Sequence, residues 1–372
     1  MAKERIVVKI GSSSLTNNKG EIDHEKLADH VHALAALREA NHEVILVSSG
    51  AVAAGFRTLG YSSKPVTLKG KQAAAAVGQS LLIQAYIEKL HAYDINAALL
   101  LLTRSDFSNR LRYRNAFATI SELLERGILP IINENDTVSV DELTFGDNDM
   151  LSALVSGFVH ADRLIILTDI NGIYDGNPRS NPSALKFDYL ENVTIKLLHA
   201  ADSTGSKVGT GGMKSKLLAA KTALSLGVPI FVGKGEGKGK LLDVLKGEGD
   251  GTYLGSKSLN SINTKKQWIA LHSETQGKVY IDQGAEEAIL YHGKSLLSAG
   301  VFKVVGSFEV GDVAEVIGSS GFLGKGEVKC SSIELKNTLE TQKIDIPKAT
   351  SSFEVIHRDK WVEFKKEEEE ML

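Results

Sequence analysis

The chain has 372 residues, a formal net charge of −3, 42% apolar residues and 24% charged residues. These values are ordinary for a folded globular protein, and the length indicates two domains or one large domain. A charge so close to neutral gives no overall reason to expect a polyanionic partner such as a nucleic acid.

The chain contains a single cysteine, Cys330. One thiol cannot form an internal disulfide, and no zinc-ligand spacing of cysteine and histidine is present. The first residues lack the long apolar segment of a signal peptide, and no uncharged apolar run reaches about 18 residues. We therefore expect a cytoplasmic protein without a membrane span.

Short apolar runs alternate with helical patterns from the N-terminus to Val232. The predicted strands are Ile6–Ile10, Glu43–Val47, Ala97–Leu102, Ile128–Ile132, Arg163–Thr168 and Val228–Val232. The predicted helices run from an Asp23 N-cap to about Ala40, from Gly50 to about Leu90, and over Asn115–Arg126, Leu151–Val159 and Met213–Leu226. Nearly continuous apolar strands that alternate with helices predict an α/β fold with a mainly parallel sheet covered on both faces.

The pattern changes after about Trp268. Short alternating strands are predicted at Lys278–Ile281, Val301–Val305, Ala314–Ile317 and Glu327–Val328, with glycine-containing turns between them. The predicted organisation is a large domain over 1–260, a linker over 261–276, a small β-rich domain over 277–360 and a charged tail over 361–372.

Two acidic segments, Asn133–Asp136 and Phe145–Leu151, are the most informative part of the sequence. They place Asp136, Asp147, Asn148 and Asp149 between an apolar strand and an apolar helix. Neighbouring carboxylates repel one another, so this group is stable only if water solvates it or a cation such as an ammonium, Mg²⁺ or a lysine meets it.

Polar residues follow the first two predicted strands. Lys9 and Gly11 end the first strand, and Ser49 and Gly50 follow the second. Since ligands gather at the carboxyl ends of parallel strands, these segments favour an anion site. The alternatives are a solvated lysine before an ordinary turn and a simple helix cap.

Two later segments favour a nucleotide site. Thr168 and Asp169 end an apolar strand, although the same residues would suit an ordinary capped turn. The glycine run that leads into Lys214 and Lys216 opens a helix. Because a helix N-terminus is already electropositive, two lysines there are unfavourable unless an anion binds.

The order of these motifs resembles the glutamate 5-kinases of the amino acid kinase family over essentially the whole chain, and the C-terminal part is similar to a PUA domain. The motifs are Lys-Ile-Gly-Ser, Ser-Ser-Gly-Ala, Ile-Asn-Glu-Asn-Asp, Gly-Asp-Asn-Asp-x-Leu-Ser-Ala, Leu-Thr-Asp and Gly-Thr-Gly-Gly-Met-x-x-Lys. The resemblance implies a three-layer α/β/α sandwich around a mostly parallel sheet. It also implies phosphorylation of the side-chain carboxylate of L-glutamate by Mg²⁺ and ATP, which gives L-glutamyl 5-phosphate for proline biosynthesis.

The resemblance also implies a role for each matching residue. Lys9 and Lys216 would stabilise the transferring phosphoryl group, and Asp149 would orient them. The implied glutamate-binding residues are Ser49, Gly50, Asp136, Asp147 and Asn148. The implied ATP-binding residues are Lys9, Gly11, Thr168, Asp169, Thr210, Gly211, Gly212, Met213, Lys214, Ser215 and Lys216. No direct protein ligand for a metal is expected.

The implied partners are L-glutamate, proline as a feedback inhibitor, a glutamyl-phosphate reductase and further copies of the chain in a dimer or tetramer. Two alternatives remain open: another amino acid kinase, such as an acetylglutamate kinase or aspartokinase, and an RNA-directed protein. Residues 277–372 carry 12 basic and 17 acidic side chains, a net charge of −5. This charge argues against nucleic acid as the main partner.

Overall fold

The computed structural model describes residues 2–17, 19, 21–138, 148–176, 178, 181, 183–202, 212–235, 237, 239–255, 269, 273, 275–319, 321–343 and 352–363. The chain divides into two compact units. The first comprises Met1–Asp106 and Leu111–Ser261, and the second comprises Phe107–Arg110 and Ile262–Leu372. The predicted linker over 261–276 lies outside the described residues except at positions 269, 273, 275 and 276.

Strands and helices alternate between residues 2 and 255. The described strands are β1 (Arg5–Ile10), β2 (Glu43–Ser48), β3 (Ala97–Leu102), β4 (Leu129–Glu134), β5 (Arg163–Thr168), β6 (Ile173–Tyr174), β7 (Lys186–Phe187), β8 (Tyr189–Leu190), β9 (Ile230–Lys234) and β10 (Gly251–Leu254). The described helices are α1 (His24–Glu39), α2 (Ala51–Gly55), α3 (Leu68–His91), α4 (Arg104–Ser108), α5 (Arg110–Glu125), α6 (Asn148–Phe158), α7 (Ile195–Asp202), α8 (Met213–Ser225) and α9 (Lys240–Lys246).

Eight strands form the main sheet in the order β3-β4-β2-β1-β5-β9-β10-β8. Neighbouring strands are parallel except for the antiparallel pair β9 and β10. Helices cover the sheet, which confirms the predicted three-layer α/β/α arrangement. Side chains alternate along β1: Ile6, Val8 and Ile10 join the core beneath α1 and α3, so Val7 and Lys9 point to the opposite face.

The structure confirms the predicted cap of α1. The side chain of Asp23 accepts hydrogen bonds from the main-chain N–H groups of Glu25 and Lys26. These bonds satisfy donors that the first helical turn leaves without intrahelical partners.

The single helix predicted from Gly50 to Leu90 is wrong, because α2 and α3 are separate helices. The segment between them contains Gly60, in a left-handed conformation with φ of 80°, and Pro65. Proline disfavours a helical residue before it, and the left-handed glycine interrupts the helix. The side chain of Thr67 then caps α3 by accepting from the N–H of Gly70.

The two helices approach each other closely at a pair of glycines. A Cβ atom on Gly55 would overlap main-chain atoms of Ala74 and Gly78, and one on Gly78 would overlap the carbonyl group of Ala51. We call this approach the glycine contact; it sets how closely α2 and α3 pack.

The prediction also missed α4 and began two helices late. The backbone N–H of Thr103 donates to the Asp106 carboxylate at 2.7 Å, and this capping bond starts α4. Helix α5 begins five residues before the predicted Asn115, and α6 begins at Asn148 instead of Leu151. The early start of α6 places Asp149 in its first turn, where a negative charge is favourable.

The second unit is β-rich. Its described strands are β11 (Thr275–Ile281), β12 (Leu296–Leu297), β13 (Val301–Gly306), β14 (Val313–Gly318), β15 (Gly321–Val328) and β16 (Glu354–Glu363), and its helices are α10 (Gln283–Leu290) and α11 (Ser332–Lys343). The strands form one sheet in the order β12-β16-β15-β14-β11-β13. The sequence predicted the position of four of them and missed β12 and β16. Strand β16 continues into the segment predicted as a charged tail, because Trp361 is buried in the core of the unit.

Among the described residues, every helix is too short or too polar to cross a membrane.

Candidate functional site

A cavity of about 440 Å³ opens beside the carboxyl ends of β1, β2, β4 and β5. This edge of a parallel sheet is where α/β proteins bind ligands. The residues from strand ends and helix starts in its lining include Lys9, Gly11, Ser49, Gly50, Asn133, Glu134, Asp136, Asn148, Thr168, Asp169 and Lys216. Residues far apart in the sequence therefore meet at one place.

Three buried charged residues, Lys9, Asp149 and Lys216, form what we call the charge cluster. Lys9 points from β1 towards α6, and Lys216 lies in the first turn of α8. Lys9 Nζ contacts Asp149 Oδ1, and Lys216 Nζ lies 3.1 Å from Asp149 Oδ2. The side chain of Lys9 is 6% exposed, that of Lys216 is 7% exposed and that of Asp149 is fully buried. Water therefore screens these contacts weakly.

The electrostatics of the charge cluster favour an anion. Burial alone would raise the pKa of Asp149, but the positive charges of Lys9 and Lys216 outweigh burial and hold that pKa below its usual value. Asp149 is therefore an ionised carboxylate shared by two ammonium groups. Within these three side chains one negative charge faces two positive charges, an arrangement that suits an anion such as a phosphate.

Three neutral side chains, Gln79, Asn133 and Asn148, form what we call the amide chain. Asn133 Nδ2 donates to Gln79 Oε1 at 2.7 Å, and Asn148 Nδ2 donates to Asn133 Oδ1 at 2.7 Å. Asn133 Oδ1 also accepts the backbone N–H of Glu134 at 2.9 Å, and Asn148 Nδ2 also donates to the backbone carbonyl of Ser48. The amide chain joins α3, β4, α6 and the end of β2.

The turns after β1 and β2 bring main chain to the cavity. Gly50 caps α2 with a φ of 103°, a conformation that strains any other residue, and it lies next to Ser49 in the lining. A Cβ atom on Gly11 would lie 3.5 Å from Lys9 Nζ. The bare backbone at Gly11 therefore keeps open the space beside that ammonium group.

The nucleotide candidates divide between β5 and α8. Thr168 Oγ1 donates to Asp169 Oδ1 at 3.2 Å, and both residues line the cavity. Helix α8 begins after Gly212, which has no side chain to cap the first main-chain N–H groups. Its first turn contains no acidic residue. A helix start with these properties suits a phosphate.

Asp136 follows β4 and lines the same cavity. Burial raises its pKa to about 6. A cationic ligand would stabilise a buried carboxyl group with a raised pKa, because a nearby positive charge favours its ionised form.

The structure brings together most of the residues proposed from the sequence. Lys9, Gly11, Ser49, Gly50, Asp136, Asn148, Thr168, Asp169 and Lys216 line the one cavity, and Asp149 lies behind the two lysines. Gly212, Met213, Lys214 and Ser215 lie at the start of α8. Asp147, Thr210 and Gly211 lie outside the described residues.

Nothing in the sequence indicated that Gln79 would join the other two amides. It lies in an alanine-rich part of α3, far in sequence from every motif that suggested a site. The sequence placed Asn133 in an acidic segment, but it did not predict that Asn133 would join a chain of amides. Only the hydrogen bond between α3 and β4 shows that these side chains meet.

Comparison with known proteins agrees with these motifs. The model described as amino acid kinase family matches residues 4–234, and the model described as PUA domain matches residues 277–349. Glutamate 5-kinase 1 of Bacillus licheniformis is 62% identical over 98% of this chain and 100% of its own length. Glutamate 5-kinase 1 of Bacillus subtilis is 60% identical over 98% of this chain and 100% of its own length. Glutamate 5-kinase of Oceanobacillus iheyensis is 62% identical over 97% of each chain.

Proposed function

Because the chain belongs to the amino acid kinase family and matches glutamate 5-kinases over nearly its whole length, we propose that it transfers a phosphoryl group from ATP to the side-chain carboxylate of L-glutamate. The products are ADP and L-glutamyl 5-phosphate, the first intermediate of proline biosynthesis. The observation that carries this proposal is the charge cluster, two buried lysines held by one aspartate at the edge of a ligand-sized cavity.

The reaction needs no general base. The glutamate side chain has a pKa of about 4.3 and is already an anion at neutral pH. One oxygen of that carboxylate attacks the γ-phosphorus of ATP, and the bond from phosphorus to the bridging oxygen of ADP breaks. The barrier is therefore mainly the approach of one anion to another, and positioning with charge neutralisation lowers it.

The charge cluster supplies this neutralisation. Lys9 and Lys216 flank the transferring phosphoryl group, and Asp149 holds both ammonium groups in place. Because Asp149 stays ionised and keeps both partners, the two lysines do not repel each other out of the site. Their positive charge is thus prepared before the substrates arrive.

We assign the amino acid to the side of the cavity that Ser49, Gly50, Asp136 and Asn148 line. Asp147 belongs to the same assignment. The raised pKa of Asp136 supports it, since the ammonium group of glutamate would stabilise the ionised carboxylate.

The nucleotide is assigned to the β5 and α8 side. The assigned residues are Gly11, Thr168, Asp169 and the segment Thr210–Lys216. Mg²⁺ would enter with ATP and neutralise part of the triphosphate charge. We assign it to the phosphate oxygens and not to Asp149, because both oxygens of that carboxylate already face lysines.

The product implies further partners. An acyl phosphate reacts readily with water, so transfer to a glutamyl-phosphate reductase would protect it. Proline as a feedback inhibitor and a dimeric or tetrameric assembly remain predictions from the family resemblance, as does RNA binding by the second unit.

A product assay tests the proposal. The purified chain is incubated with ATP, Mg²⁺ and one acceptor at a time: L-glutamate, L-aspartate, N-acetyl-L-glutamate or glutarate. Hydroxylamine traps any acyl phosphate as a hydroxamate, and ADP release is followed in parallel. We expect equal amounts of ADP and hydroxamate with L-glutamate. Preference for another acceptor, or ADP release without hydroxamate, would refute the proposal.

A further inference from the structure

We propose that Gln79 is a positioning residue that completes the amide chain and holds it in place, so that Asn148 presents its side-chain oxygen to the α-ammonium group of the amino acid substrate. This inference rests on the proposed function and adds the recognition of a free amine to it. It concerns selection of the substrate, which the charge cluster does not address.

Main-chain groups fix the direction of the amide chain at two points. A backbone N–H can only donate, so the bond from Glu134 N to Asn133 requires the Asn133 oxygen on that side. A backbone carbonyl can only accept, so the bond to Ser48 requires the nitrogen of Asn148 on that side. Neither amide can be turned over without losing a bond to the backbone.

The direction of these bonds determines which atom Asn148 offers to a ligand. Both N–H bonds of Asn148 are used, one by the Ser48 carbonyl and one by Asn133 Oδ1. Asn148 is buried but lines the cavity, and no described residue donates to its Oδ1. An ammonium group carries three donors and no acceptor, so it matches this oxygen. A reversed amide would offer two donors and would suit a carboxylate instead.

Gln79 completes the amide chain at its far end. Its Oε1 accepts from Asn133 Nδ2, and the side chains of both residues are buried. Without this acceptor the NH₂ group of Asn133 would be buried and unsatisfied, which is costly. Asn133 would then gain by moving its nitrogen towards another acceptor, and Asn148 would be held only by its bond to the Ser48 carbonyl.

Steady-state kinetics of three variants test this role. Gln79→Met keeps the size of the side chain and removes the acceptor, whereas Gln79→Glu keeps an acceptor. Gln84→Met is the matched control, because Gln84 is exposed on the same helix and bonds only to Glu88 among the described residues. KM for glutamate, KM for ATP and kcat are measured for each, with thermal unfolding as a check of folding.

For Gln79→Met we expect KM for glutamate to rise about tenfold or more, which is the range for a hydrogen bond to a charged group. The values of kcat and of KM for ATP should change little, because the charge cluster is untouched. Gln79→Glu should restore most of the glutamate affinity, and Gln84→Met should resemble the unchanged protein. Gln79→Leu replaces Gln79→Met if the latter does not fold.

Unchanged KM for glutamate in Gln79→Met would overturn the inference, as would an equal rise of both KM values. Failure of Gln79→Glu to restore affinity would also overturn it, since the acceptor would then be irrelevant. The unchanged protein is assayed first. If it does not phosphorylate glutamate, the proposed function fails; if it does and Gln79→Met is normal, only this inference fails.

Discussion

The charge cluster and the amide chain lie side by side, and consecutive residues of α6 belong to them. Asp149 joins two lysines, whereas Asn148 joins a glutamine and an asparagine through neutral bonds. Both groups are buried, but one carries formal charges and the other carries only dipoles. The first can balance charge on a reacting group, and the second can direct hydrogen bonds without attracting phosphate.

Buried charges and buried amides are stable for different reasons. Buried charges are stable only with partners, and Asp149 supplies a partner to each lysine. Buried amides need complete hydrogen bonding, which the backbone at Glu134 and Ser48 provides. In the proposed function, the charge cluster neutralises charge and the amide chain recognises the substrate.

The largest expected effect concerns the charge cluster. Lys9→Ala or Lys216→Ala should lower kcat on the order of 10²–10³-fold, because each removes a positive charge that stabilises the transferring phosphoryl group. Steady-state turnover with saturating ATP and glutamate measures the loss.

Lys246→Ala is the control for this pair, because Lys246 is at the surface and contacts Asp243 three residues away. It should leave turnover unchanged. Near-normal kcat in a folded Lys9→Ala or Lys216→Ala protein would show that the charge cluster is not catalytic.

A smaller effect, on the pH dependence of KM for glutamate, should distinguish Asp136 from the charge cluster and the amide chain. Its pKa of about 6 means that protonation competes with binding of the ammonium group below that pH. The ionised form is lost as pH falls, so KM for glutamate should rise about tenfold between pH 7 and pH 5. KM measured across this range checks the direction.

The variant Asp136→Asn cannot titrate at this position. It should bind glutamate more weakly at neutral pH and show a nearly flat KM profile. A flat profile in the unchanged protein would mean that Asp136 does not contact the ammonium group.

The smallest expected effect is on stability. The buried Ser48 hydroxyl donates to the hydroxyl of Tyr86 at 3.1 Å, behind the carbonyl that holds Asn148. Tyr86→Phe removes this acceptor and should lower the free energy of unfolding by about 1 kcal/mol, as measured by urea denaturation.

Tyr93→Phe offers the same chemical change at an exposed hydroxyl, which bonds to His32. Tyr93→Phe should lower the free energy of unfolding less than Tyr86→Phe does, since water replaces the lost hydrogen bond. Equal losses in the two variants would argue that the Ser48 contact adds nothing to stability.

The sequence predicted the framework of the first unit well, since continuous apolar runs identify buried parallel strands. The prediction for β5 matches the structure at both ends, and that for β1 differs by one residue. Short elements such as β6 and β8 were missed, because two residues carry no periodic pattern. The break between α2 and α3 was also missed, although Gly60 and Pro65 were visible signals.

The charge cluster could be inferred from sequence because motifs and family resemblance both pointed to its members. The amide chain could not, because Gln79 and Asn133 are 54 positions apart and meet only through the packing of α3 on the sheet. A glutamine on a helix has many ordinary explanations, and its partner is fixed by tertiary structure alone.

The glycine contact bears on how this protein could change over evolutionary time. Gly78 immediately precedes Gln79, so a methyl group there would push α3 outward and withdraw the amide beside it. Positions 55 and 78 are therefore expected to tolerate almost no substitution in a mutational library, although neither residue lines the cavity. New acceptor preferences would then arise at residues that line the cavity, with this helix crossing left intact.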